Sequence, residues 1–294
     1  MAEDVERLRA YVEYFRDMGV HDFYRRGEPV FTEVVAEAAV ERAAEFLSVK
    51  TEPLPVKAVP VPGPVIAAPV VVPSKSDFLE PPIAKLVSFD NLAPLPEVRV
   101  AAAEKMGALR AIQEDIGDCT RCPLAYAGRR KIVFADGDPN ARLMFVGEGP
   151  GADEDTSGVP FVGKAGQLLN NMIGAMGLKR EEVYIANIVK CRPPANRVPE
   201  PVEANTCSQF LLRQIDVVQP QVIVALGATA AMYLLGVKQS LVSLRGKWHG
   251  CRGAKLVVTY HPAFLLRDPR QKGEAWKDLQ IVMAEMGLKG PSKG

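Results

Sequence analysis

The sequence predicts an α/β protein: a three-layer α/β/α sandwich on a central, mostly parallel sheet, preceded by a helical appendage and a Pro-rich linker. Three observations carry this. Beyond about residue 104, short apolar runs alternate with stretches of helical period, the pattern of buried parallel strands joined by helical crossovers. Seven prolines fall between Pro53 and Pro73 among Val and Ala, a composition that favours extended chain and builds no core. Upstream, Val5, Leu8, Val12, Phe15 and Met18 recur at helical spacing with charges between them.

Residues 1–50 therefore form a helical N-terminal appendage, with TEVVAEAAVERAAEFL (32–47) as its second helix. Nothing in it suggests catalysis; it reads as a small helical appendage or as a docking segment for an unknown protein partner. Residues 51–103 are the linker, and residues 104–294 the main domain. There, ARLMFVGEG reads as strand and turn, GKAGQLLNNMIGAMG as a helix ending at Gly177, and EEVYIANIVK as a second strand. EPVEANTCSQFLLRQIDVVQ reads as helix, QVIVALG and ATAAMYLLG as strand and helix, and AKLVVTYHP as the last strand before a helix holding Trp276 and Leu279. Ligands of such sheets bind beyond the carboxyl ends of the strands. Glu148, Asn187, Gly227 and His261 each end or follow a strand, so they should converge on one rim, under the loop that carries Phe161.

The chain has 294 residues and a net charge of +1. Residues 1–50 hold seven Lys and Arg against eleven Asp and Glu, leaving the remainder at +5. This mild basic bias is compatible with nucleic acid. The acidic start lacks an apolar signal core, and PVIAAPVVVP is too short and proline-broken to span a bilayer. A cytoplasmic monomer away from membranes is expected. The cluster Arg129-Arg130-Lys131 reads as a solvated turn that could meet phosphates.

GVPFVGKA (158–165) meets most of a phosphate-binding loop pattern, yet Ala165 stands where a magnesium-holding Ser or Thr is required. Pro160 has no N–H, Phe161 is bulky where backbone must approach a phosphate, and GEGPGADEDTS brings four carboxylates. Nucleotide hydrolysis is thereby disfavoured, and the Phe requires another explanation. Cys119 and Cys122 form CTRC, Cys191 lies in KCRPP, and Cys207 follows sixteen residues later. Such a set suggests metal rather than disulfides, with zinc and an iron–sulfur cluster both open on spacing alone. Cys251 is left over as a packed thiol.

Taken together, GEGPGADEDTSGVPFVGKAGQLLN, NIVKCRPPANR, CTRC, Cys207 and YHPAFLLR resemble the iron–sulfur (family 4) uracil-DNA glycosylases over roughly residues 104–285. The resemblance implies a uracil-DNA glycosylase-like catalytic domain that flips uracil from DNA and hydrolyses its N-glycosidic bond, a [4Fe–4S] cluster on Cys119, Cys122, Cys191 and Cys207, and uracil-containing DNA as partner. It gives Phe161 as the stacking face, Asn187 as uracil reader and His261 as donor to the leaving base. Glu148 with the backbone at Gly149 would place the water. Gly149 and Gly151 stand where better-known relatives carry aspartate and tyrosine, so Glu154 is the expected neighbour of the base's 5-position. Leu265, with Leu266 as alternative, is the expected wedge into the duplex, and Arg121, Lys190 and Arg192 are expected near its backbone. A same-fold enzyme for other deaminated bases, or a non-catalytic iron–sulfur DNA-binding protein, are the alternatives.

Overall fold

The computed structural model describes residues 86–290. The appendage and most of the linker assigned from sequence lie outside the described residues. In chain order the elements are α1 (Phe89–Leu92), α2 (Lys105–Ile116), β1 (Asp136–Gly137), β2 (Leu143–Gly147), α3 (Ala152–Ser157), α4 (Lys164–Ala175), β3 (Tyr184–Asn187) and α5 (Pro201–Val218). There follow β4 (Val222–Leu226), α6 (Ala228–Leu235), α7 (Leu241–Leu244), β5 (His249–Cys251), β6 (Ala254–Thr259), α8 (Pro262–Arg267) and α9 (Lys272–Met286).

The six strands form one sheet in the order β1-β3-β2-β4-β6-β5. The four central strands are parallel, and β1 and β5 close the edges antiparallel. Strand alternation splits the core into two layers. Met144 and Val146 of β2 join Leu109 and Ile112 of α2, Phe210, Leu211 and Ile215 of α5, and Leu234 of α6. Leu143 and Phe145 join Leu169 and Ile173 of α4, with Leu279 and Val282 of α9, on the opposite face. The expected three-layer sandwich is therefore present. The long helix α5 starts with Pro201 at its first position, and Glu203 folds back to accept the Glu200 N–H at 2.8 Å. That is the proline-plus-capping-box start readable in EPVE.

The main domain begins earlier than residue 104. Phe89 is 1% exposed and lies in the core shared with α2 and α5. The buried guanidinium of Arg252 donates to the carbonyls of Phe89, Ala93 (the shortest of these bonds) and Pro94. It also pairs with Asp216 at 2.6 Å, and the Arg252 N–H donates to Asp90 at 2.6 Å. Residues 86–94 are thus a tied part of the fold and not linker. Their composition concealed this because the arginine that bonds them, Arg252, is more than a hundred residues away in sequence.

Candidate active site

Parallel pairing puts the carboxyl ends of β2, β3, β4 and β6 on one edge, and the loops leaving them open into a cleft of about 550 Å3. Glu148, Gly149, Glu154, Phe161, Asn187 and His261 all line it, as the rim argument expected. Gly227 does not line it; it packs behind His261, where a Cβ would stand 3.1 Å from the histidine's own.

Gly147 and Asn187 end neighbouring strands in register. Asn187 is 1% exposed, and its Oδ1 is buried without a hydrogen-bond partner. Native proteins pair nearly all such atoms, so this unpaired acceptor in the cleft wall is a candidate contact for a ligand's N–H. The Phe161 ring lies beside it. A Cβ on Gly147 would fall 2.4 Å from Asn187 Oδ1 and 2.5 Å from Phe161 Cζ. Only glycine leaves room there for the amide and the ring together, a requirement that the first glycine of GEGPG carried unnoticed in the sequence.

His261 caps α8. Its Nδ1 accepts the Ala263 N–H at 3.1 Å, which leaves Nε2 to carry the ring proton in the neutral form. Burial lowers its pKa from 6.5 to about 4, with the Arg267 cation adding in the same direction. The imidazole is therefore a neutral donor at pH 7, and its ring centroid is 5.6 Å from that of Phe161. The site thus combines an apolar face, an unpaired acceptor and a neutral donor.

Glu154 lines the cleft, but its carboxylate is committed to backbone. Oε2 accepts the Gly151 N–H at 3.0 Å, and Oε1 accepts those of Val162 and Gly163 at 3.0 and 3.1 Å. Its geometry is that of a loop organiser. Three other assignments are corrected. Leu265 is 1% exposed, packed with Tyr260 and Ala275 as a core residue; the phase of α8 turns Leu266 outward instead, at 43% exposure. Lys190 is fully buried, donating from Nζ to the Asn187 carbonyl at 3.0 Å and to Gln214 Oε1, and cannot face a DNA backbone. Arg129 is buried too, donating to the Cys119 carbonyl at 2.5 Å and pairing with Asp118, so only Arg130 and Lys131 of that cluster face solvent. Sequence reading missed Arg197, which lines the cleft and is held by the buried Glu203 carboxylate at 2.6 Å; the NRVPEPVE pattern contained both.

Cys119, Cys122, Cys191 and Cys207 line a second, smaller cavity with Arg129, Lys190 and Phe210. All are free thiols. Burial raises Cys122 and Cys191, and takes Cys207 up to about 12; thiolates there would have to be stabilised by bound metal. Two N–H groups already address the sulfurs, Arg129 Nη1 at 3.4 Å from Cys191 and the Lys190 amide at 3.3 Å from Cys207. Among the described residues no three His, Cys, Asp or Glu side chains are disposed around a single metal ion, whose thiolate bonds span only ~2.3 Å for zinc. Four cysteines around one cavity are a donor set that zinc and iron–sulfur sites share. Cys251 is 1% exposed in the core beside the Leu234 carbonyl, as a packed thiol should be.

A mostly parallel sheet with a cleft at its carboxyl edge, lined by an aromatic ring, a carboxamide and an imidazole, defines an α/β domain with a ligand cleft. Residues 134–280 match the uracil DNA glycosylase superfamily, and the chain belongs to that family. It is 47% identical over 164 residues to the type-4 uracil-DNA glycosylase of Thermotoga maritima, covering 54% of this chain and 84% of that protein. It is 37% identical over 195 residues to the type-4 enzyme of Archaeoglobus fulgidus, covering 64% and 98%. A type-5 uracil-DNA glycosylase of Pyrobaculum aerophilum is 32% identical over 179 residues, covering 50% and 78%. Identity is thus higher to these two type-4 relatives. No helix among the described residues is long and apolar enough to cross a membrane.

Proposed function

We propose that the protein removes uracil from DNA by hydrolysing the bond between the base N1 and the sugar C1′, leaving an abasic site for repair. The single observation that carries this reading is the buried, unpaired Oδ1 of Asn187 beside the Phe161 ring. A base inside a duplex is out of reach, so the nucleotide is turned out into the cleft. There it stacks on Phe161. Asn187 Oδ1 accepts its N3–H while the amide NH2 donates to O4; cytosine, with an acceptor at N3 and a donor at C4, reverses both contacts. As the N1–C1′ bond breaks, its electron pair moves into the pyrimidine ring and onto O2. The Nε2–H of His261 donates to that oxygen where little water competes. Glu148, at the end of β2, positions a water on the far side of the sugar; its oxygen bonds C1′ and its proton leaves by way of the carboxylate. Leu266 fills the stack that the base vacated.

Cys119, Cys122, Cys191 and Cys207 would hold a [4Fe–4S] cluster, which supplies a structural tie between the CTRC segment and the loop after β3. The test uses the full chain purified with its metal, incubated with oligonucleotides containing one uracil, one hypoxanthine or neither, followed by alkaline cleavage of abasic sites. Cleavage at uracil by brown, iron-containing protein is expected. An intact uracil strand overturns the activity, and colourless protein with stoichiometric zinc overturns the cluster.

A further inference from the structure

The segment carrying Phe161 is gripped from two sides by groups outside the reaction. Phe161 sits at φ +52°, the left-handed region that residues with a Cβ seldom occupy. On one side Glu154 accepts the next two amides. On the other, Arg180 donates from Nη2 to the Pro160 carbonyl at 2.6 Å and from Nη1 to the Phe161 carbonyl at 3.1 Å. Its fork is aimed by Asp136, which accepts from Nε at 2.7 Å, and Nη1 also reaches Asn170 Oδ1 at 2.9 Å. Behind the segment, a Cβ on Gly166 of α4 would fall 1.9 Å from the Phe161 carbonyl oxygen, so the helix presses against the strap only because that residue is glycine. Arg180 opens the short turn Arg180–Glu182 that leads into β3, the strand ending in Asn187. One side chain therefore ties the stacking ring to the strand that bears the base reader.

We propose that Arg180 is a positioning residue for base removal, holding the strained Phe161 backbone so that the ring lies parallel to the base read by Asn187. The inference rests on the proposed stacking role of Phe161. A planar, five-donor guanidinium suits the task because it bonds two successive carbonyls and its orienting carboxylate at once, which an ammonium cannot. Misplacing a reacting group by about 1 Å can cost on the order of 10²-fold in rate.

The test is a double-mutant cycle in single-turnover cleavage of uracil-containing DNA, with Arg180→Gln, Phe161→Ala and both together. Arg180→Gln should slow cleavage by about 10–100-fold, yet slow the Phe161→Ala enzyme by less than about threefold, because its effect runs through the ring. Amide exchange of residues 159–163, followed by mass spectrometry without DNA, should quicken about tenfold while that of β4 is unchanged. Cleavage by Arg180→Gln within about threefold of wild type, or equal slowing in both backgrounds, overturns the proposal. Should Arg180→Gln not accumulate as folded protein, Arg180→Lys enters the same cycle, with about 3–10-fold slowing expected and the same refuting results. If the wild-type protein leaves uracil in place, the base-removal reading falls and positioning for it falls too; unchanged exchange in Arg180→Gln alongside an active wild type removes the clamp alone.

Discussion

Replacing Asn187 by alanine tests base reading and fold economy at once. In the proposed complex the Asn187 amide pairs both N3–H and O4 of uracil. Its removal leaves two ligand groups unpaired in a buried site, at about 1–3 kcal/mol each. A combined loss of about 3–5 kcal/mol corresponds to roughly 10²–10⁴-fold in single-turnover cleavage, at 1.36 kcal/mol per decade. The free protein should respond differently. Oδ1 of Asn187 has no partner in the structure, so it already carries a desolvation cost, and alanine removes it. The packing lost with this buried side chain, which is 1% exposed beside Phe161, offsets part of that gain. The melting temperature should hold within about 3 °C or rise, with metal content unchanged. The assays are rapid-quench cleavage of a uracil oligonucleotide and thermal unfolding of the same preparation. A variant that cleaves within about threefold of wild type would show that Asn187 is not the reader. A melting temperature lower by more than about 8 °C would show that the amide is structural and its free acceptor illusory.

Three further outcomes are expected. His261, its folded-state pKa lowered from 6.5 to about 4 by burial, should stay neutral by histidine NMR until the pH approaches 4. Because the unfolded chain takes up that proton first, its contribution to stability is complete above about pH 6.5 and is lost as pH falls toward 4; a ring titrating near 6.5 in the folded protein would contradict this. Phe89→Ala should destabilise the protein by about 3–5 kcal/mol in urea unfolding, and a chain starting at residue 101 should be less stable than one starting at residue 86; equal stability would return residues 86–94 to the linker. Leu265→Ala should cost about 2–5 kcal/mol of stability and Leu266→Ala almost none, whereas cleavage of duplex uracil DNA should suffer in Leu266→Ala; the reverse pattern would restore Leu265 as the wedge.

The sheet was legible because its strands are coded locally. LMFV, YIAN, VIVAL and KLVVT are short β-rich runs that end at turn or rim residues, and parallel connectivity then forces Glu148, Asn187 and His261 to one edge. What escaped reading depends on partners remote in sequence or on the phase of a short helix. Arg252 reaches Ala93 across 159 residues, and no composition signal marks that anchor in a segment next to the proline-rich stretch. Which of Leu265 and Leu266 faces out is decided by how six residues of α8 dock. Arg129 and Lys190 were given to solvent and DNA because charged side chains are seldom buried unpaired; here each has partners, in carbonyls, Gln214, Asp118 and a cysteine sulfur. Glu154 was read as a specificity group because its place in the motif is near the base, while its three amide bonds could be seen only once the loop was folded.

The proposed reaction also explains why a site without an aspartate at Gly149 has a histidine with so low a pKa. With no such base to ionise the attacking water, progress of the reaction depends on how well the departing pyrimidine is tolerated as an anion. An imidazolium of pKa about 4 would be a strong acid, and forming it in this cleft would cost the desolvation that lowers its pKa. A neutral imidazole avoids that cost. Its Nδ1 is already occupied by the Ala263 amide, so Nε2–H is fixed as a donor before substrate arrives, and nothing need reorganise as charge builds on O2. In the proposed reaction, leaving-group stabilisation by a preoriented neutral dipole carries most of the chemistry, and Glu148 aims a water at a sugar carbon made electrophilic by the base's departure and takes up its proton.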